Sequence, residues 1–290
     1  LSQPNQSDPT VELKQGKSTF RLNTLPADEF PNRPQAQFSQ SFTIAANQLR
    51  HLLQLVHFSM AQQDIRYFLN GMLLSIEGDV IRVVTTDGHR LAYCEGKLEA
   101  PLAQNVQCIV PRRTVMEMLR LIPDNEEAIT IAISETEVLV EIGKSQARFV
   151  FGDIDFLTKL VEGKFPDYNR VIPVNNNNIF VIKRDVLLGA LKRTAILANA
   201  KLRGVKWELK NGTLTIQSTN SDQEEAKDVL DIDYNGIDIE IGFNLLYLQD
   251  VLNNLRSEEV QFALHSNTGA MLITMPDNSS FKYVVMPMRT

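Results

Sequence analysis

Apolar and polar positions along the chain switch repeatedly between two periods. At "QSFTI" (residues 40–44) and "NIFVI" (178–182) side chains alternate as on a half-buried strand. Each run leads into a stretch with apolar residues at i, i+3 and i+4: "ANQLRHLLQLVHFSM" from Ala46 and "RDVLLGALKRTAILA" from Arg184. That spacing predicts a helix, and "RTVMEMLRLI" from Arg113 and "LLYLQDVLNNL" from Leu245 supply a second helix to each half. Between the helices, "LSIEGDVIRVVTT" (74–86) and "WELKNGTLTIQST" (207–219) predict hairpins, the latter turning at Asn211-Gly212, a pair that tolerates positive φ. The order strand, helix, strands, helix, strands thus occurs twice. Each unit is predicted to be α+β and internally doubled.

The two passes align residue by residue. Gly71 of "GMLLSIEGDVIRVVTTD" falls on Gly204 of "GVKWELKNGTLTIQSTN", an offset of 133 that also sets Ile76 on Leu209 and Thr86 on Thr219. Without a gap the same offset carries "IVPRRTVMEMLRLI" onto "GFNLLYLQDVLNNL". Slightly upstream, "FTIAANQLRHLL" and "FVIKRDVLLGAL" share one template. Two copies of one domain follow. A third trace stands at the front, where "VELKQGKSTFRLNTLPADEFPNR" echoes "VLVEIGKSQARF" and "KLVEGKFPDYNR", so the chain is expected to open inside a further copy. The polar run "VNNNNI" (174–179), preceded by Pro173, marks the boundary between the two full copies.

A length of 290 residues suits such a division. Hydrophobic content of 43% and charged content of 22% describe an ordinary water-facing protein, with no apolar run near the ~18–20 residues that span a bilayer. No membrane role is expected. The first residues, "LSQPNQSDPT", contain no basic or apolar leader segment and do not begin with Met, so a natural start is not expected there. Cys94 and Cys108 lie in apolar segments without a CxxC pattern, which suits buried thiols in a reducing compartment, the cytoplasm.

Candidate chemistry is sparse. "GKS" occurs at Gly16 and Gly143, but a phosphate loop needs glycine five residues earlier, where Val11 and Val138 stand. His51, His57, His89 and His265 form no metal-binding array, and no GxSxG elbow exists. In "TTDGHR" (85–90), Asp87 and His89 offer a general acid/base pair and hence a hydrolase, yet the stretch also reads as a plain Asp-Gly turn. The matching stretch of the second copy, "STNSDQ", has lost His, Gly and Arg, so something local was added to one copy. A net charge of −6 argues against nucleic acid, but its distribution argues otherwise. Seven bases (Lys183, Arg184, Lys192, Arg193, Lys201, Arg203, Lys206) face one acid, Asp185, between 179 and 206, and the other copy adds Arg112, Arg113 and Arg120. Basic helices in repeated domains can follow phosphates without reading bases.

"RYFLNGML", "TTDGHRLA", "EGKFPDYNRV" and the terminal "YVVMPMR" stand in the order found in the bacterial DNA polymerase III β subunits, the sliding clamps, and the chain resembles that family from about residue 9 to its end. The resemblance implies a DNA clamp fold with helices inside and sheets outside. Residues 1–36 would be the last hairpin of a first domain, 37–173 the second domain and 174–290 the third. It implies a processivity factor without catalytic residues, cofactor or metal. Two full-length subunits would close head to tail into a homodimer ring around duplex DNA, bound without regard to sequence. The DNA polymerase III α subunit, the clamp loader and other polymerases would attach by short linear peptides.

Matched residue by residue, the peptide pocket between the second and third domains would have Leu69, Thr86, Leu91, Pro166, Val171, Val284, Val285 and Met286 as its apolar wall. Its rim would comprise Gly88, His89, Arg90, Arg170, Asn244, Tyr247, Pro287, Met288 and Arg289. Thr268 and Ala270 would border it on a strand. DNA contacts fall on Gln63, Arg112, Arg113, Lys192, Arg193 and Lys201, and the subunit contact on Ile196 and Leu197. With little of a first domain, this chain is expected to be chiefly monomeric. The rivals are a hydrolase built on Asp87 and His89, and a peptide-binding scaffold that never touches DNA.

Overall fold

The computed structural model describes residues 10–30, 37–122, 137–276 and 278–289. The chain separates into two compact units, Leu1–Gln37 and Phe38–Thr290. In the first, β1 (Thr10–Gln15) and β2 (Ser18–Asn23) form an antiparallel hairpin that turns through Gly16, whose φ of 57° suits glycine.

The second unit passes twice through one plan. The first pass runs β3 (Gln40–Ala45), α1 (Ala46–Val56), β4 (Gly71–Glu77), β5 (Val80–Thr86), β6 (Arg90–Lys97), β7 (Val106–Pro111), α2 (Arg112–Leu121), β8 (Glu137–Ile142), β9 (Gln146–Phe151) and β10 (Ile154–Lys159). The second runs β11 (Asn178–Lys183), α3 (Arg184–Thr194), β12 (Gly204–Lys210), β13 (Thr213–Thr219), β14 (Glu225–Asp231), β15 (Ile239–Asn244), α4 (Leu245–Asn254), β16 (Glu259–Leu264), β17 (Met271–Met275) and β18 (Asn278–Val285). The bounds of β4, β5, β7 and α2 recur in β12, β13, β15 and α4 at the predicted offset of 133, whereas β3 and α1 recur at 138. The first pass therefore carries five extra residues between α1 and β4. Asn211 and Gly212 take φ of 50° and 75°, as their hairpin requires.

The same stitches hold both passes. The Thr85 hydroxyl donates to the Val56 carbonyl at the end of α1, and the Ser218 hydroxyl donates to the Thr194 carbonyl at the end of α3. Arg50 donates to the carbonyls of Leu119 and Ile122, and Arg184 donates to those of Leu252 and Leu255, the equivalent positions. Each arginine satisfies the carbonyls that a helix end leaves without intrahelical donors.

Among the described residues, three sheets carry the second unit. Two have four strands, in the orders β10-β9-β8-β3 and β14-β13-β12-β15. The third has eight, β11-β16-β17-β18-β6-β5-β4-β7, and runs unbroken from one pass into the other where β18 pairs antiparallel with β6. Along its strands the side chains alternate. Val83, Ala92, Cys94, Val110 and Val285 enter the large core shared with the helices. Val84, Leu91, Tyr93, Ile109 and Val284 point to the other face. There the connection after β10 covers them with Val161, Phe165, Tyr168, Val171 and Ile172. Burial pushes the Cys94 and Cys108 thiols up to about 12. Among the described residues no helix is long and apolar enough to cross a membrane.

Candidate functional site

The turn between β5 and β6 is built by its own side chains. Asp87 Oδ1 accepts from the backbone N–H groups of His89 (2.9 Å) and Arg90 (3.1 Å). The Thr86 hydroxyl accepts from Gly88 N and donates to the Arg90 carbonyl. Gly88 has φ of 91°, and a Cβ there would stand 3.1 Å from the Arg66 guanidinium, so both backbone and space call for glycine. The remaining Asp87 oxygen, Oδ2, receives Arg90 Nε at 3.1 Å. Asp87 is thus occupied as a turn cap, and His89 is exposed. This geometry sets aside the Asp87–His89 acid/base pair.

Beside the turn opens a cleft of about 270 Å³, lined by Arg66, Phe68, Leu69, Thr86, Gly88, Arg90, Leu91, Phe165, Pro166, Tyr168, Val171, Val284 and Met286. Its floor is the outer face of the eight-stranded sheet, and its walls come from both passes and from the connection between them. Apolar walls with a few fixed polar groups suit an extended apolar side chain. Arg66 donates to both oxygens of Asp64 and to the Asp87 carbonyl. The hydrogen bond from Arg66 holds the Asp64 carboxyl at about 2, well below the usual carboxylate range.

Arg90 is the most heavily fixed group in the cleft. Besides Asp87, its guanidinium donates to Asp250 Oδ2 (2.5 Å) and to the Phe58 carbonyl (2.8 Å), and its Cζ lies 4.4 Å from the centre of the Tyr247 ring. Burial works against its charge, but Tyr283, Asp250 and Asp87 together outweigh that and hold it more firmly protonated than usual.

Nine of the anticipated pocket residues line the cleft: Leu69, Thr86, Gly88, Arg90, Leu91, Pro166, Val171, Val284 and Met286. Val285 does not, because strand alternation sends it into the core on the other face. Arg170 is exposed and pairs with Asp167 at 3.0 Å. Asn244 caps α4, accepting from Leu246 N, and Tyr247 stands behind Arg90. Met288 bridges to Gly242, while His89, Pro287 and Arg289 lie outside the lining. Thr268 sits in an exposed turn, not on a strand, and Ala270 packs against the outer cluster. Arg66, Phe68, Phe165 and Tyr168 were not anticipated as lining residues, although all four lie within the quoted motifs "RYFLNGML" and "EGKFPDYNRV".

The basic positions divide. Arg112 is half-buried and turned toward the carbonyls of His57 and Met60, both at 3.5 Å, and Arg193 pairs with Asp228. Both pairings restrain cations expected to be available for phosphate. Gln63, Arg113, Lys192 and Lys201 are exposed, and among the described residues these three bases have no carboxylate partner. Ile196 is exposed and Leu197 half-buried, in a short 3-10 turn after α3.

Models of the DNA polymerase III beta subunit match residues 43–167 (its central domain) and 169–289 (its C-terminal domain). The beta sliding clamp of Pseudomonas aeruginosa is 44% identical over 277 residues, covering 96% of this chain and 73% of that protein. That of Escherichia coli K12 is 41% identical with the same coverage. A crystal structure of the DNA polymerase III subunit beta from Pseudomonas aeruginosa superposes with a TM-score of 0.92 at 42% identity, over 99% of this chain and 76% of that one. A DnaN sliding clamp of the same organism, bound to griselimycin, gives 0.90 at 43% identity over 98% and 74%.

Proposed function

The chain belongs to the DNA polymerase III beta subunit family, the sliding clamps, which are non-enzymatic processivity factors of replication, and from that premise we propose that its cleft receives short linear peptides. DNA and polymerase are the partners that membership brings. The observation that carries the cleft reading is its composition: Leu69, Leu91, Val171, Val284 and Met286 offer an apolar seat beside a turn fixed by Asp87 and Arg90. A Leu or Phe side chain fits such a seat, and flexible Met286 lets it repack around different partners. Calorimetric titration with a peptide carrying Gln followed by Leu and Phe tests this. A single micromolar site is expected, and absence of binding overturns the reading.

Residues 37–173 and 174–290 are then two clamp domains, with 1–36 the last hairpin of another. Exposed Arg113, Lys192 and Lys201, with Gln63, are the positions for backbone phosphates of duplex DNA; the polymerase α subunit, the clamp loader and other polymerases share the cleft. Ile196 and Leu197 would meet a second subunit of a ring whose closure uses a first domain. The 290-residue chain by itself is expected to be chiefly monomeric. Light scattering at micromolar concentration checks this, and a stable closed dimer would contradict it.

A further inference from the structure

Arg90 belongs to the first pass, and the carboxylate that takes its Nη1 belongs to α4 of the second. Among the described residues this is the one ion pair between the two passes. Asp250 and Tyr247 stand three residues apart on α4, on neighbouring positions of one helix face, so the helix presents an acid and a ring to the same guanidinium. The Arg90 side chain is 10% exposed and Asp250 42%, so the guanidinium is shielded while the acid that holds it stays open to solvent. Asp87 and Phe58, the other acceptors, lie in the same pass as Arg90 and move with it. Asp250 does not line the cleft.

We propose that Asp250 is a positioning residue of the cleft: through Arg90 it fixes the 86–90 turn relative to β18, and so sets the spacing between the Gly88–Leu91 wall and the Val284–Met286 wall. Apart from the strand ladder, the second pass also reaches the turn through the Tyr247 ring, 4.4 Å from the Arg90 Cζ, and through Met286 N, which donates to the His89 carbonyl at 2.9 Å. Without Asp250 the guanidinium loses its outer anchor and gains freedom to swing into the space a peptide side chain would fill.

The inference rests on the cleft being a peptide site, and the experiment separates the two. Peptide affinity is measured by calorimetry for the wild type, Asp250→Ala, Asp250→Glu, Arg90→Gln and the double variant Asp250→Ala/Arg90→Gln, with the fluorescence of Trp207 reporting the fold. Asp250→Ala is expected to weaken binding roughly tenfold, in the range of ordinary site-to-site coupling. Asp250→Glu is expected to recover most of that loss. In the Arg90→Gln background, Asp250→Ala is expected to add nothing, because its effect runs through the guanidinium. Should Asp250→Ala unfold, the isosteric Asp250→Asn serves in its place. Wild-type affinity in the Asp250 variants, or an equal loss in both backgrounds, overturns the positioning role. Failure of the wild type to bind overturns the cleft reading instead.

Discussion

Deletion of Met286 to Thr290 is expected to abolish peptide binding and leave the fold standing. A peptide carrying Gln followed by Leu and Phe would lodge its apolar side chains between Leu91, Val171, Val284 and Met286. Burying ~200 Å² of apolar area at ~25 cal/mol per Å² gives about 5 kcal/mol, and ordering costs leave an affinity in the micromolar range once polar contacts are added. Such binding suits exchange among partners. The deletion removes the Met286 wall and the bond from Met286 N that steadies the His89 carbonyl. A combined loss of about 3 kcal/mol is more than a hundredfold and carries a micromolar site beyond practical measurement. The core keeps its last strand, because Val285 is the final fully buried residue. Calorimetry on the shortened protein, with circular dichroism to show it folded, decides the matter. Unchanged affinity would place the pocket elsewhere and make "TTDGHRLA" a plain turn.

Duplex DNA is expected to bind weakly, without sequence preference and with a steep dependence on salt. Of the anticipated bases, only Arg113, Lys192 and Lys201 stand exposed without a carboxylate partner among the described residues, so about three phosphates are neutralised per chain. Counterion release then gives a slope of log affinity against log salt of roughly −3, or about a fortyfold loss between ~50 and ~200 mM. Charge reversal at Lys192 should reduce the slope by about one, whereas reversal of Arg112, already turned toward two carbonyls, should act through stability instead. Fluorescence anisotropy on unrelated duplexes of equal length checks both points. A spread above about tenfold among them would contradict backbone-only contact.

Much of the fold was legible because it is written twice. The offset of 133 identified four pairs of elements whose bounds recur to the residue, and Asn211-Gly212 and Asp87-Gly88 announced their turns through local backbone chemistry. What local pattern could not supply was contact between distant segments. Phe165 and Tyr168 reach the cleft because the connection after β10 folds back over the sheet, and nothing in their spacing signals that return. The period-2 rule should have separated Val284 from Val285, yet a continuous apolar run hides which face is which. Arg112 and Arg193 read as available cations because their partners, at His57 and Asp228, are 55 and 35 residues away. The five residues by which the first pass exceeds the second were also visible as a change of offset. They lie in the stretch that brings Arg66 and Phe68 to the cleft.

The join between the two passes has a consequence for how such a protein can change over generations. β6 and β18 meet through a backbone ladder, Val285 opposite Arg90 and Phe281 opposite Cys94, and amide groups are the same whatever side chain they carry. If the cleft receives peptides as proposed, substitutions on the outer face of that seam would alter what it prefers without loosening the backbone bond between its two halves. Taste for a partner can drift while the frame is inherited intact.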